Sequence, residues 1–208
     1  LLMTISVYDL MLYAGALLVL FLTPGPVWVA LVARSLSGGF HAAWPLALGV
    51  VVGDVLWPFL AILGVTWIVS VFSGFLVFLK WVACATFLIM GFLIIRSAGA
   101  KISTDSALTK PGMWAGFLAG LAVILGNPKA ILFYMGMLPG FFDLTKLTWA
   151  DIAAICFLSF LVPLIGNLIL AASIHKAKAF LTSPKALRRT NITAGSLLIL
   201  VGLVIPFI

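Results

Sequence analysis

The sequence predicts an all-α integral membrane protein of six transmembrane helices, arranged as two inverted three-helix repeats with helices 1 and 4 broken. Three observations lead there: the composition, two interrupted apolar runs, and a weak internal repeat. Of 208 residues, 64% are hydrophobic and 8% charged, and the mean hydropathy is +1.32. A soluble domain carries about 25% charged residues. At about 20 residues per span, the chain holds six helices as a single transmembrane domain over residues 1–208. The net charge of +7 does not point to nucleic acid, because the basic residues fall mostly between spans, where they act as topology signals.

Span 1 is expected over residues 10–33 and contains the first break, Thr23-Pro24-Gly25-Pro26. No basic segment precedes this run and no small-residue cleavage site follows it, so it reads as an uncleaved span. Residues 34–41 form a polar turn. Span 2 covers 42–62 and carries Asp54 near its middle. A turn at 70–74 leads to span 3, residues 75–95, and then to a loop over 96–111. Span 4, residues 113–138, contains the second break, Gly126-Asn127-Pro128-Lys129. A loop over 139–149 precedes span 5, residues 151–173. A basic stretch over 175–189 precedes span 6, which begins at residue 192.

Lys and Arg divide unevenly between the two sides. Arg34, Arg96, Lys101, Lys110, Lys176, Lys178, Lys185, Arg188 and Arg189 share one side, against Lys80 and Lys146 on the other. The positive-inside rule makes the first group cytoplasmic, so both termini face outward.

A shift of 102 residues lays Pro26 on Pro128 and Gly38 on Gly140. A shift of 113 lays Gly53-Asp54 on Gly166-Asn167, and a shift of 111 lays Gly91 on Gly202. These matches favour a duplication, with repeat 1 over about 1–98 and repeat 2 over about 112–208. Three spans per repeat invert the second copy. Gly49 and Gly53, and Gly112, Gly116 and Gly120, recur every four residues. Such small-residue faces let helices approach closely, within one chain or between copies, so a homo-oligomer is compatible with the sequence.

A proline inside a span removes an N–H and frees a carbonyl one turn earlier. In hydrocarbon such a break is tolerated only where protein or a wet cavity covers it, and paired breaks point to a transporter's substrate site. The candidate site therefore comprises Pro24, Gly25 and Pro26, with Asn127, Pro128 and Lys129. Asp54 is the one acid deep in a span, roughly 18 Å along span 2, and Lys129 is the one comparably deep base. Each costs about 2.5–3.5 kcal/mol at a helix centre. One reading is a structural Asp54–Lys129 ion pair. In the other, Asp54 exchanges a proton or holds an ammonium group, and Lys129 binds a carboxylate or neutralises Asp54. Asn127 and Asn167 are polar at depth and read first as hydrogen bonds across helices. Trp28 and Trp57 sit deep enough to line a cavity. The remaining tryptophans suit interfacial anchors. The N–H groups after each break suit a carboxylate and the carbonyls before it an ammonium group, so a small zwitterion is the natural guest. No metal-ligand spacing, nucleotide loop or nucleophile–base pair appears, so neither cofactor, metal nor enzyme activity is expected.

Leu22-Thr23-Pro24-Gly25-Pro26, Ser35-Leu36-Ser37-Gly38-Gly39, residues 48–53, Asn127-Pro128-Lys129-Ala130 and Leu138-Pro139 resemble the lysine-exporter family of bacterial amino-acid efflux proteins, which includes homoserine and threonine exporters. The resemblance covers nearly the whole chain. It implies a multi-pass inner-membrane protein that exports amino acids or related metabolites by proton antiport, with the two proline motifs as site positions. The chain departs from the family at Val27, where a polar residue is common, and at Thr86, where a tyrosine is common. Two rival readings are a membrane thiol or redox carrier using Cys84 and Cys156, and a non-transporting membrane subunit. A channel is disfavoured, since no charge ring or filter repeat appears.

Overall fold

A computed structural model describes residues 2–72, 111–174 and 183–204, with isolated positions between them (74, 77, 81, 84, 85, 88, 89, 91, 92, 95, 96, 98 and 179). Most of expected span 3, the 96–111 loop and much of the 175–189 stretch lie outside the described residues, Lys80, Lys101, Lys110, Lys176 and Lys178 among them. Among the described residues all regular structure is helical. In chain order these are α1 (Val7–Leu22), α2 (Pro26–Val71), α3 (Met113–Leu125), α4 (Pro128–Leu132), a π-helical turn (Phe133–Met137), α5 (Leu138–Phe141), α6 (Trp149–Ala172) and α7 (Pro184–Val204).

The first expected span is α1 plus the start of α2, interrupted at residues 23–25. A straight helix as long as α2 would extend about 69 Å, over twice the hydrocarbon core of about 30 Å. It kinks at Gly38 and Gly39, leaving limbs of residues 26–37 and 40–71. Gly39, at φ 69° and ψ −169°, occupies backbone space open essentially to glycine. The expected polar turn of residues 34–41 thus shrinks to two glycines. Arg34 is a correction. The sequence puts it in a polar turn between spans, yet it is 2% exposed and donates from Nε to the Ala42 carbonyl (2.8 Å) and from Nη2 to the Gly112 carbonyl (2.6 Å). A guanidinium reaches both because the kink brings the two limbs and the start of α3 together.

The second interrupted run is α3 and then α4 to α5, bent by 54°. Gly126 ends α3, and Asn127 opens α4 by accepting the Lys129 backbone N–H on Oδ1 (3.1 Å). The stretches Pro26–Trp67 and Trp149–Ala172 are long and apolar enough to cross a membrane, and the bent α3–α5 pair makes a third such stretch. Large apolar side chains such as Val7, Met11, Leu60, Leu118 and Ile169 face outward, as a lipid-facing surface requires. Trp67, Trp81, Trp114 and Trp149 are also exposed.

The small-residue faces close the α2–α3 seam. A Cβ on Gly120 would overlap the Leu46 carbonyl, one on Gly49 the Phe117 carbonyl, one on Gly53 the Ile124 side chain, and one on Gly116 the Arg34 guanidinium. Gly112 does not join this face. It has φ 105° with open space around it, and it precedes α3 instead of packing. Asp151, at the start of α6, binds the chain's first residues. Its carboxylate accepts the Thr4 N–H and hydroxyl (2.8 and 2.6 Å), the Ile5 N–H (3.1 Å), and the Thr148 N–H and hydroxyl (both 2.8 Å).

Candidate functional site

Both breaks open onto one cavity of about 40 Å³, lined by α1, both limbs of α2, α3, α4 and α6. Gly25, Asp54, Asn127, Lys129 and Asn167 line it, with Leu17, Leu20, Phe21, Val27, Trp28, Val50, Ile124, Ala130 and Pro163. Pro24 lies in the break after α1, and Pro26 and Pro128 are the first residues of α2 and α4.

Several carbonyls at the end of α1 find side-chain partners around the break. Lys129 Nζ donates to the Leu20 carbonyl (3.0 Å) and the Thr23 carbonyl (2.5 Å). Trp28 Nε1 donates to the Phe21 carbonyl (2.7 Å). The Val19 carbonyl takes the Thr23 N–H (3.1 Å) and hydroxyl (2.8 Å). This coverage lets an interrupted helix sit in an apolar interior. Trp28 lines the cavity as expected. Trp57 instead reaches the second break, with Nε1 3.4 Å from the Ile124 carbonyl.

Asp54 is 3% exposed and accepts a hydrogen bond from the Tyr134 hydroxyl (3.0 Å). The structural Asp54–Lys129 ion pair is not formed. Among the described residues the one ion pair within 4 Å joins Lys146 and Asp143. Lys129 is drawn instead to two carbonyls at the negative end of α1. Asn127 spends its side-chain oxygen on the local cap of α4 rather than on another helix. Asn167 is 1% exposed, and its Oδ1 makes no hydrogen bond among the described residues. The hydrogen bond across helices expected of it is therefore absent at that atom. Most buried polar atoms are paired, so an unpaired acceptor on a cavity wall marks a place for a donor from outside the chain.

Sequence reasoning missed Tyr134, Tyr13, Ser159 and Pro163. The Tyr13 hydroxyl lies 2.8 Å from Ser159 Oγ, which also donates to the Ile155 carbonyl at 2.8 Å. Both tyrosines are fully buried, and Tyr13 packs against Phe133, Phe141 and Phe142. Two signals were available. A tyrosine inside an apolar run needs a partner for its hydroxyl. Ser159, Pro163 and Asn167 repeat every four residues, which puts them on one face of a helix. The π-helical turn that carries Tyr134 had no readable signal.

Cys84 is buried and Cys156 half-buried, and both are free thiols. Cys156 packs against the core and is not among the residues lining the cavity.

Comparison with known proteins bears on the same stretch of chain. Residues 18–206 match the family described as LysE type translocator. The chain is 32% identical over 190 residues to an uncharacterized membrane protein of Synechocystis sp. (strain PCC 6803), covering 90% of each chain. It is 28% identical over 158 residues to proteins named leucine efflux protein in Salmonella typhimurium (strain LT2) and Salmonella typhi, covering 71% of this chain and 74% of theirs. No solved structure is significantly similar to it.

Proposed function

The chain belongs to the LysE type translocator family, and from that premise we propose that it is a secondary exporter of small, apolar amino acids that works by proton antiport. One observation carries this reading: two helix breaks and a buried carboxylate meet at a single cavity. The cavity's apolar wall suits an aliphatic side chain, and relatives named leucine efflux protein make leucine the first cargo to test. A volume of about 40 Å³ accommodates roughly three waters, so cargo enters only when the helices around the breaks separate. Pro24, Gly25, Pro26, Asn127 and Pro128 shape the site through the backbone. Asn167 and Lys129 meet the cargo's polar end, and Asp54 takes up the proton as cargo leaves.

The six-span, inverted-repeat architecture belongs to the same proposal, with residues 1–98 and 112–208 rocking against each other to alternate access. Paired contacts support it. Gly53 abuts Ile124 while Gly166 abuts Phe21, and Gly91 meets Gly195. A bacterial inner-membrane location follows the family resemblance, and the uneven Lys and Arg distribution orients both termini outward.

The test is counterflow. Purified protein in liposomes is preloaded with single unlabelled amino acids and tested for uptake of labelled ones. Accumulation with leucine and its aliphatic neighbours is expected; silence across the panel from monodisperse protein refutes the reading. Asp54→Asn is expected to keep exchange and lose accumulation driven by a pH gradient. Gradient-driven transport at the normal rate in that variant would remove Asp54 from the coupling.

A further inference from the structure

We propose that the Leu20 and Thr23 carbonyls, together with the Asn167 side-chain oxygen, form a subsite for the cargo's ammonium group, and that Lys129 occupies it as a tethered competitor which a zwitterion displaces. This rests on the amino-acid export proposed above and specifies how the cavity selects its cargo.

The first support is the seat itself. Lys129 is a compact cation with three N–H donors. Two of them are directed at the Leu20 and Thr23 carbonyls, at 3.0 and 2.5 Å. These carbonyls have lost their helical partners at the Thr23–Gly25 break, and an apolar interior does not leave them bare. The chain thus already places a primary ammonium where a cargo ammonium would go. Gly25 lies directly beside it, where a Cβ would come within 3.4 Å of Lys129 Nζ. The second support is independent. Asn167 Oδ1, on α6, is buried without a hydrogen bond among the described residues and lines the same cavity. It is an acceptor that Lys129 does not use.

Selectivity follows from what leaving the seat requires. A carboxylate alone draws Lys129 away but leaves two carbonyls bare. An amine alone covers the carbonyls but adds a second cation to a cavity whose one carboxylate is Asp54, already bonded to Tyr134. A zwitterion adds no net charge. Its ammonium takes the seat, and its carboxylate receives the displaced Lys129.

Four probes separate these cases: leucine, 3-methylbutylamine, 4-methylpentanoate and N,N,N-trimethylleucine, whose quaternary nitrogen has no N–H. Wild-type counterflow of labelled leucine is expected to be inhibited by leucine and at least tenfold more weakly by the other three. In Lys129→Met the competitor is gone, and 3-methylbutylamine is expected to bind at least tenfold more tightly than to the wild type, as measured by thermal shift in detergent. Trimethylleucine or 4-methylpentanoate inhibiting the wild type within twofold of leucine overturns the subsite. Equal binding of 3-methylbutylamine to the wild type and Lys129→Met overturns it as well. Lys129→Gln serves as a second variant, and the wild-type inhibition series decides the matter if neither variant folds. The export reading fails separately. If no amino acid gives counterflow, export is wrong, and the subsite then stands or falls on amine binding to Lys129→Met.

Discussion

Replacing Gly120 with alanine tests the α2–α3 seam that sets Asp54 opposite the second break. The added Cβ would overlap the Leu46 carbonyl oxygen and lie 2.9 Å from the Leu46 carbonyl carbon and 3.0 Å from the Val50 nitrogen. All three are backbone atoms, so no side-chain rotation relieves the overlap. Restoring ordinary contact separates the helices by about 1 Å. A gap of that size forfeits a quarter to a half of each contact's attraction, and about 40 atom pairs at ~0.15 kcal/mol then lose about 2 kcal/mol. Residual overpacking adds about 1–3 kcal/mol, and the helix preference of alanine returns about 1 kcal/mol. The net loss is about 2–4 kcal/mol, or a fall of about 10 °C in Tm for a chain of this size. Gly64→Ala is the matched control. It too lies inside a helix, α2, and nothing stands within 4 Å of its Cβ, so it is expected to be neutral or up to about 1 kcal/mol stabilising. Thermal unfolding in detergent micelles measures both variants, with leucine counterflow alongside. If Gly120→Ala melts within about 2 °C of Gly64→Ala, close approach of α2 and α3 through glycine is wrong.

Asn167→Leu is expected to leave Tm unchanged or raise it, because it removes a buried unpaired acceptor, while abolishing leucine counterflow; loss of folding with retained transport per folded molecule would assign Asn167 to structure. Asp151→Ala is expected to cost about 3 kcal/mol, since it strips five charge-assisted hydrogen bonds from Thr4, Ile5 and Thr148. Limited proteolysis of the N-terminal segment should then accelerate, and an unchanged cleavage rate would refute the tether. Lys146 holds the Asp143 carboxyl below its usual range, with help from Thr145. A depressed carboxylate stabilises the folded loop above its unfolded value of about 3.9 and loses that contribution as pH falls through the folded one. The wild type should therefore be slightly more stable than Asp143→Asn at pH 7, and the two should converge below about pH 4. The difference should be small, because the pair is solvent-exposed.

The sequence by itself determined the class of molecule and the whereabouts of its candidate site. Apolar runs of bilayer length admit only helices, since hydrocarbon offers no partner for a bare backbone group. A proline in such a run announces a break wherever it falls, so Pro24-Gly25-Pro26 and Asn127-Pro128 were legible without coordinates. Asp54, Lys129 and Asn167 were conspicuous for the same reason, because polarity at depth is costly. The glycine spacing on α2 and α3 was equally readable, apart from Gly112, whose positive φ belongs to the turn before α3. What each polar group does with its partners was decided only by tertiary structure. Lys129 is 75 residues from Asp54 and over 100 from Leu20, and nothing in the order of residues says that its ammonium prefers two freed carbonyls to a carboxylate. Arg34 looked like a loop charge because the sequence does not show that the kink at Gly38–Gly39 folds its neighbourhood inward. Tyr134 reaches Asp54 through a π-helical turn, a local widening that arises from packing and leaves no mark on the periodicity. Spacing along the chain fixes which face a residue occupies, and the approach of other helices fixes what that face meets.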